Sequence, residues 1–146
     1  MKGFDGASPE HIHMLRVEQL RMIQSIITRM AGNSGMMKRY FLILALAVVG
    51  ISSAQEYREL ILFAMAVSAI FACLDGAYLA LERRYRMLYD RVRNGDWSEP
   101  PDFSLAIDKE IASKARILPT IFSWSVFWLY GLVIILLAMI YYYPRL

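Results

Sequence analysis

The chain has 146 residues, 58% of them hydrophobic and 13% aromatic, with a mean hydropathy of +0.39. That length is one domain's worth, and that composition is too apolar for an ordinary soluble domain. A formal charge of +3 is small, so the placement of charge says more than its sum, and a single cysteine, Cys73, excludes an intrachain disulfide and a cysteine-cluster zinc site.

Residues 1–7 read as a tail, and residues 1–35 lack the continuous apolar run of a signal peptide. Ser8, Pro9 and Glu10 make a helix start, with a serine cap, a proline at the first helical position and an acid in the first turn. Ile12, Leu15, Met22, Ile26 and Met30 then recur at near-helical spacing, widened by Leu20, Ile23 and Ile27, and predict an amphipathic helix of about six turns. Its polar face is not unusually basic, which favours packing against a partner helix over lying on a membrane surface. Ala31-Gly32-Asn33-Ser34-Gly35 predicts a kink or hinge, since each glycine weakens a helix by about 1 kcal/mol relative to alanine.

Three stretches have the length and polarity of membrane spans, at about 38–54, 60–81 and 117–143. The first is short, so Lys38 and Arg39 must snorkel or Met36 and Met37 must join it. A polar turn over residues 55–59 leads into the second. That second span has no break before Asn94-Gly95, so it extends beyond the membrane as a basic helix. Residues 97–104, with Pro100 and Pro101, read as a loop, and residues 105–118 carry a weak amphipathic pattern. In the third span Trp124 and Trp128 suit one lipid interface and Tyr141, Tyr142 and Tyr143 the other. Residues 1–39 and 82–116 together hold fourteen of the sixteen Lys and Arg. The positive-inside rule then puts the N-terminus in the cytoplasm and the C-terminus outside. The expected fold is all-α: an integral membrane protein with an N-terminal amphipathic helix (tail and helix, 1–35) and a three-helix transmembrane domain (36–146). Its second helix extends into the cytosol, and segment 82–116 is cytosolic.

Several features of this layout are candidates for function. Asp75 lies inside the apolar part of the second span, where a carboxylate costs about 2.5–3.5 kcal/mol at a helix centre and is a functional candidate by default. It reads as a structural acid paired with an arginine of another helix, as the mouth of a cation pathway, or as a proton-coupled group, and Tyr78 and Glu82 continue its face as further pore or gate candidates. Ala64, Ser68, Ala72, Gly76 and Ala80, each four apart, form a small-residue stripe suited to close helix packing, within the chain or around an oligomer axis. Arg83, Arg84, Arg86, Arg91 and Arg93 with Tyr89 read either as an anchor to phospholipid or as a site for a phosphate-bearing ligand. Glu82 with Arg86, and Arg86 with Asp90, are spaced for ion pairs. No catalytic motif, metal-binding spacing or cofactor fingerprint is present: His11 and His13 do not share a helix face, and neither a phosphate loop nor a nucleophile elbow appears. The chain is not expected to be an enzyme.

Residues 74–90 resemble the signature LDxxYLxxERxFRxLYD, with Tyr85 in place of its Phe. The run from Ile27 to Ser34, and Asp102-Phe103-Ser104-Leu105, are similar to flanking motifs of the same family. The family comprises small bacterial three-span membrane proteins found in mobile and defence loci, and the resemblance points to defence systems of the Hailong type or related cyclic-nucleotide systems. This resemblance implies a homo-oligomeric channel effector of the inner membrane, most simply a tetramer. It would be gated by a nucleotide or oligonucleotide from a partner nucleotidyltransferase. A non-conducting adaptor that anchors a cytosolic partner to the lipid bilayer is the alternative.

Overall fold

A computed structural model describes residues 8–55 and 58–142, and these form five helices with no strand among them. The tail (1–7), Glu56 and Tyr57 of the polar turn, and residues 143–146, including Tyr143, lie outside the described residues. The helices are α1 (Pro9–Gln55), α2 (Arg58–Asn94), α3 (Lys109–Lys114), α4 (Ile117–Ile121) and α5 (Trp124–Tyr142). Three of them, α1, α2 and α5, contain stretches long and apolar enough to cross a membrane.

α2 is the central element, packing against each of the other four. It runs antiparallel to α1, so that Ile23 and Ile27 meet Leu88 and Val92 at one end while Val48 meets Ile61 and Ala64 at the other. The seam on α1 passes through Gln19, Ile23, Ile27, Ser34, Phe41, Ala45 and Val48, all buried, at spacings of three, four or seven residues. That is the repeat of two helices wound about each other, and its polar members keep it from standing out in hydrophobicity alone. Met22, which the apolar pattern places on the packed face, is exposed, and Gln19 takes a place in the seam.

α1 continues through Ala31-Gly32-Asn33-Ser34-Gly35 as an unbroken helix, where the sequence suggests an interruption. A Cβ at Gly32 or Gly35 would meet nothing within 4 Å, so neither glycine is required by packing. Buried contacts on both sides, from Ile27 to Phe41, offset the two glycine penalties.

The apolar stretch 117–143 is divided. α4 ends at Ile121, and the carbonyl of Ser123 accepts from the N–H groups of Val126 (3.1 Å) and Phe127 (2.9 Å) to start α5. As one helix this stretch would be about 40 Å long, more than a hydrocarbon core of about 30 Å needs, and a break is one way to use the excess.

Between α2 and α3 the chain crosses back over α1. Arg16 Nη2 donates to the carbonyls of Asp96 (2.6 Å) and Glu99 (2.9 Å), and the rings of His13 and Trp97 lie 4.9 Å apart. Asp102 Oδ1 accepts from Gln19 Nε2 at 3.2 Å and from the Ser104 N–H at 2.9 Å. These bonds bracket Phe103, whose φ of 52° is left-handed and costly for a side chain of its size.

Candidate functional site

Where the apolar and charged halves of the α1–α2 pair join, Asp75 is fully buried. Its Oδ1 accepts from Ser34 Oγ at 2.5 Å, and Lys38 Nζ lies 2.9 Å from Oδ2 and 3.2 Å from Oδ1. Lys38 also donates to Ser34 Oγ at 2.9 Å. Ser34 and Lys38 are one helical turn apart, so α1 presents a hydroxyl and an ammonium together to one carboxylate. The buried hydroxyl of Tyr130 on α5 lies close to the same acid. Of the three readings of Asp75, that of an acid paired across helices fits this geometry, but the partner is Lys38 and not an arginine. The row of i, i+4 polar residues Ser34 and Lys38, facing a helix with one buried acid, is the signal that could have identified it.

The small-residue stripe is occupied from within the chain. Ala64, Ser68, Gly76 and Ala80 are buried, and Ala72 packs on the cluster of Phe41, Val126 and Tyr130. Ser68 Oγ returns a hydrogen bond to the Ala64 carbonyl at 2.7 Å. Gly76 is the point of closest approach: a Cβ there would sit 2.6 Å from Ile121 Cγ1 and 3.3 Å from Ile121 Cα. Gly76→Ala therefore overpacks α4 against α2 at a cost of about 1–3 kcal/mol, only partly offset by a helix-propensity gain of about 1 kcal/mol. Thermal unfolding in detergent should show a lower midpoint for Gly76→Ala. Combining it with Ile121→Ala should give less than the sum of the two losses.

Of the other gate candidates, Tyr78 is half-buried and Glu82 is buried in the α1–α2 seam, where it pairs with Arg86 at 2.5 Å. Asp90 pairs with Arg93 (3.4 Å) and not with Arg86. The basic residues do not form one patch. Arg84 Nε donates to the Ala115 carbonyl at 2.9 Å, and Arg91 joins Asp108 and Glu110 (3.1 Å to the latter). Arg83 is exposed and has no ion pair among the described residues. Arg86 and Tyr89 do share a site, an open cleft of about 280 Å³ lined also by Gln24, Ile27 and Asp90. Gln24 and Asp90 are residues that the sequence did not assign to a ligand site. The cleft has a ring, an amide, a carboxylate and a guanidinium on its walls, a set able to stack on and hydrogen-bond a planar ligand bearing phosphate.

α3 is fastened by charge. The Asp108 carboxylate accepts from the Ile111 N–H at 2.9 Å as an N-cap. That bond, and then Arg91, hold its pKa below the ordinary 3.8. Lys114, and then the charge of Arg91, lower Glu110 from 4.5, while Asp108 raises Arg91. Depressed carboxylates stabilise fully above their ordinary values, and the contribution is lost as pH falls through their lower folded values. Arg91 stays charged throughout. Protection of the amides over residues 108–114, taken relative to their intrinsic exchange rate at each pH, should thus be unchanged from neutral pH to about pH 5 and fall below about pH 4.

Among the described residues, no three His, Cys, Asp or Glu side chains gather where a metal could be held. No protein-family model, curated protein or solved structure matches the chain.

Proposed function

We propose that the chain is the subunit of a homo-oligomeric pore in a bacterial inner membrane, most simply a tetramer, that serves as an antiphage effector of the Hailong kind. Its N-terminus is cytoplasmic and its C-terminus outside, and a cytosolic nucleotide or oligonucleotide made by a partner nucleotidyltransferase gates it. The observation that carries this reading is the unbroken course of α2. One helix runs from an apolar stretch, past the buried Asp75, to the cleft at Arg86 and Tyr89, about 15–20 Å further along its axis. A ligand that wedges Gln24 from Arg86 changes the α1–α2 spacing, and a rigid α2 delivers that change to the Lys38–Asp75 pair. The outward face of α2 adds support for assembly, since Ala66, Ala69 and Cys73 are exposed small residues at helical spacing.

The test is conductance of the purified chain in planar bilayers, with and without candidate nucleotides. Ion currents that respond to nucleotide in the wild type and lose that response in correctly inserted Arg86→Glu are the expected result. A chain that passes no ions under any condition removes the pore. The adaptor reading then stands, and one observation favours it: Asp75 is neutralised inside the chain by Lys38 and so is not free to line a path.

A further inference from the structure

α4 is half covered. Thr120 is buried and Ile121 wedges against Gly76, but on the other side Leu118 and Phe122 are each 73% exposed, and Trp124 just beyond is 78% exposed. Although the rings of Phe122 and Trp124 lie beside those of Phe127 and Trp128, this apolar, aromatic surface stays largely uncovered by the described residues. Two cations border it. Arg116 directly precedes α4 and is exposed. Arg83 lies seven residues, two helical turns, after Gly76, and so on the face of α2 over which α4 lies. The Arg84–Ala115 bond ties the neighbours of these two cations together. The side chains of Arg84, Arg86, Arg91 and Arg93 are engaged within the chain, whereas Arg83 and Arg116 make no ion pair among the described residues.

We propose that Arg83 and Arg116 bind the headgroup of an anionic phospholipid, while Leu118, Phe122 and Trp124 pack against the glycerol and upper acyl region just beneath it. The inference rests on the membrane orientation given above and not on conduction. Guanidinium forks match phosphate oxygens, and tryptophan favours the boundary between headgroup and hydrocarbon. Depth agrees: Gly76 lies beside the buried pair that closes the apolar half, and Arg83 is about 10 Å further along α2, at headgroup level. A soluble phosphate ligand would satisfy the arginines but leave the apolar surface in water. The bilayer satisfies both.

The experiment is native mass spectrometry of the full chain extracted in neutral detergent and offered equal phosphatidylglycerol and phosphatidylcholine. The wild type should retain the anionic lipid roughly thirtyfold over the zwitterionic one, on the scale of two juxtamembrane cations, and lose that preference with added salt. Arg83→Gln/Arg116→Gln should bring the ratio near unity with an unchanged melting midpoint in phosphatidylcholine, while Lys109→Gln on α3 leaves it intact. If the double variant does not fold, Arg83→Gln and Arg116→Gln made singly should each lower the ratio. Equal retention of the two lipids, a preference that survives in the double variant, or an oligonucleotide that displaces nothing but binds through the same arginines would overturn the proposal. A chain recovered in the soluble fraction of cells would instead overturn the membrane reading beneath it.

Discussion

Lys38→Met is expected to destabilise the folded chain by about 3–5 kcal/mol, the usual cost of leaving a buried charge without its partner. Asp75 has no exposure of its own, and its remaining neighbours would be the Ser34 and Tyr130 hydroxyls, neither of which carries charge. The Lys38 side chain is 25% exposed, so some water reaches the site and the lower end of that range is expected. Asp75→Asn is milder. It keeps an acceptor for Ser34, and the freed ammonium can turn to solvent, so a loss of about 1–2 kcal/mol is expected. Lys38→Met combined with Asp75→Leu removes both charges, and such replacements are often neutral or stabilising. Thermal or denaturant unfolding in detergent ranks the three. If the single Lys38 variant proves no worse than Asp75→Asn, the carboxyl either takes up a proton or meets a cation from a second subunit, and a penalty that appears only at high pH marks the former. The double variant also separates structure from conduction. A stable double variant that no longer passes ions would make the pair part of the gate, and one that conducts normally would make it a fastener.

The same pair shows which parts of the architecture are legible in sequence. The helical course of α2 is legible because no breaker interrupts it before Asn94-Gly95, and Asp75 stands out because a carboxylate among apolar residues is rare. Its partner is not, because pairing depends on the register between two helices, and nothing local to Asp75 encodes which turn of α1 will lie against it. Register is carried by the whole seam. That seam includes Gln19, Ser34, Ser68, Asp75 and Glu82, so a search for apolar periodicity sees it only in fragments. The division of 117–143 is hidden for a related reason. Every residue from Ile117 to Ile121 is uncharged, and the break falls where Ile121 meets Gly76 on another element. The cleft at Gln24 and Arg86 likewise exists only once the register is set.

That register yields a sharp contrast between two adjacent residues. Ile23→Asp is expected to undock the charged half of α1, whereas Met22→Asp is expected to change little. Ile23 is fully buried among Ile27, Leu88, Val92 and Ile111, while Met22 is 44% exposed one position away. Truncating such a side chain to alanine costs about 2–5 kcal/mol, and a carboxylate there adds the cost of an unpaired buried charge. The damage should be local, because the clusters around Phe41 and Tyr130 and around Val48 and Leu137 share no residue with that of Ile23. The three apolar helices therefore remain associated. Limited trypsinolysis reads the opening: cleavage after Arg91, Arg93 and Lys114 should accelerate by more than tenfold in Ile23→Asp, since a loss of even about 1.4 kcal/mol in local stability is tenfold in the open population. Carbonate extraction should still find the protein in the membrane fraction. The opposite ranking, with Met22→Asp the damaging change, would mean that the apolar stripe through Met22 is the one in use and that the N-terminal helix lies on lipid. Because Gln24 and Ile27 line the cleft, undocking α1 also removes one wall of the proposed ligand site. A response to nucleotide that persists in inserted, trypsin-sensitive Ile23→Asp would then place the site elsewhere.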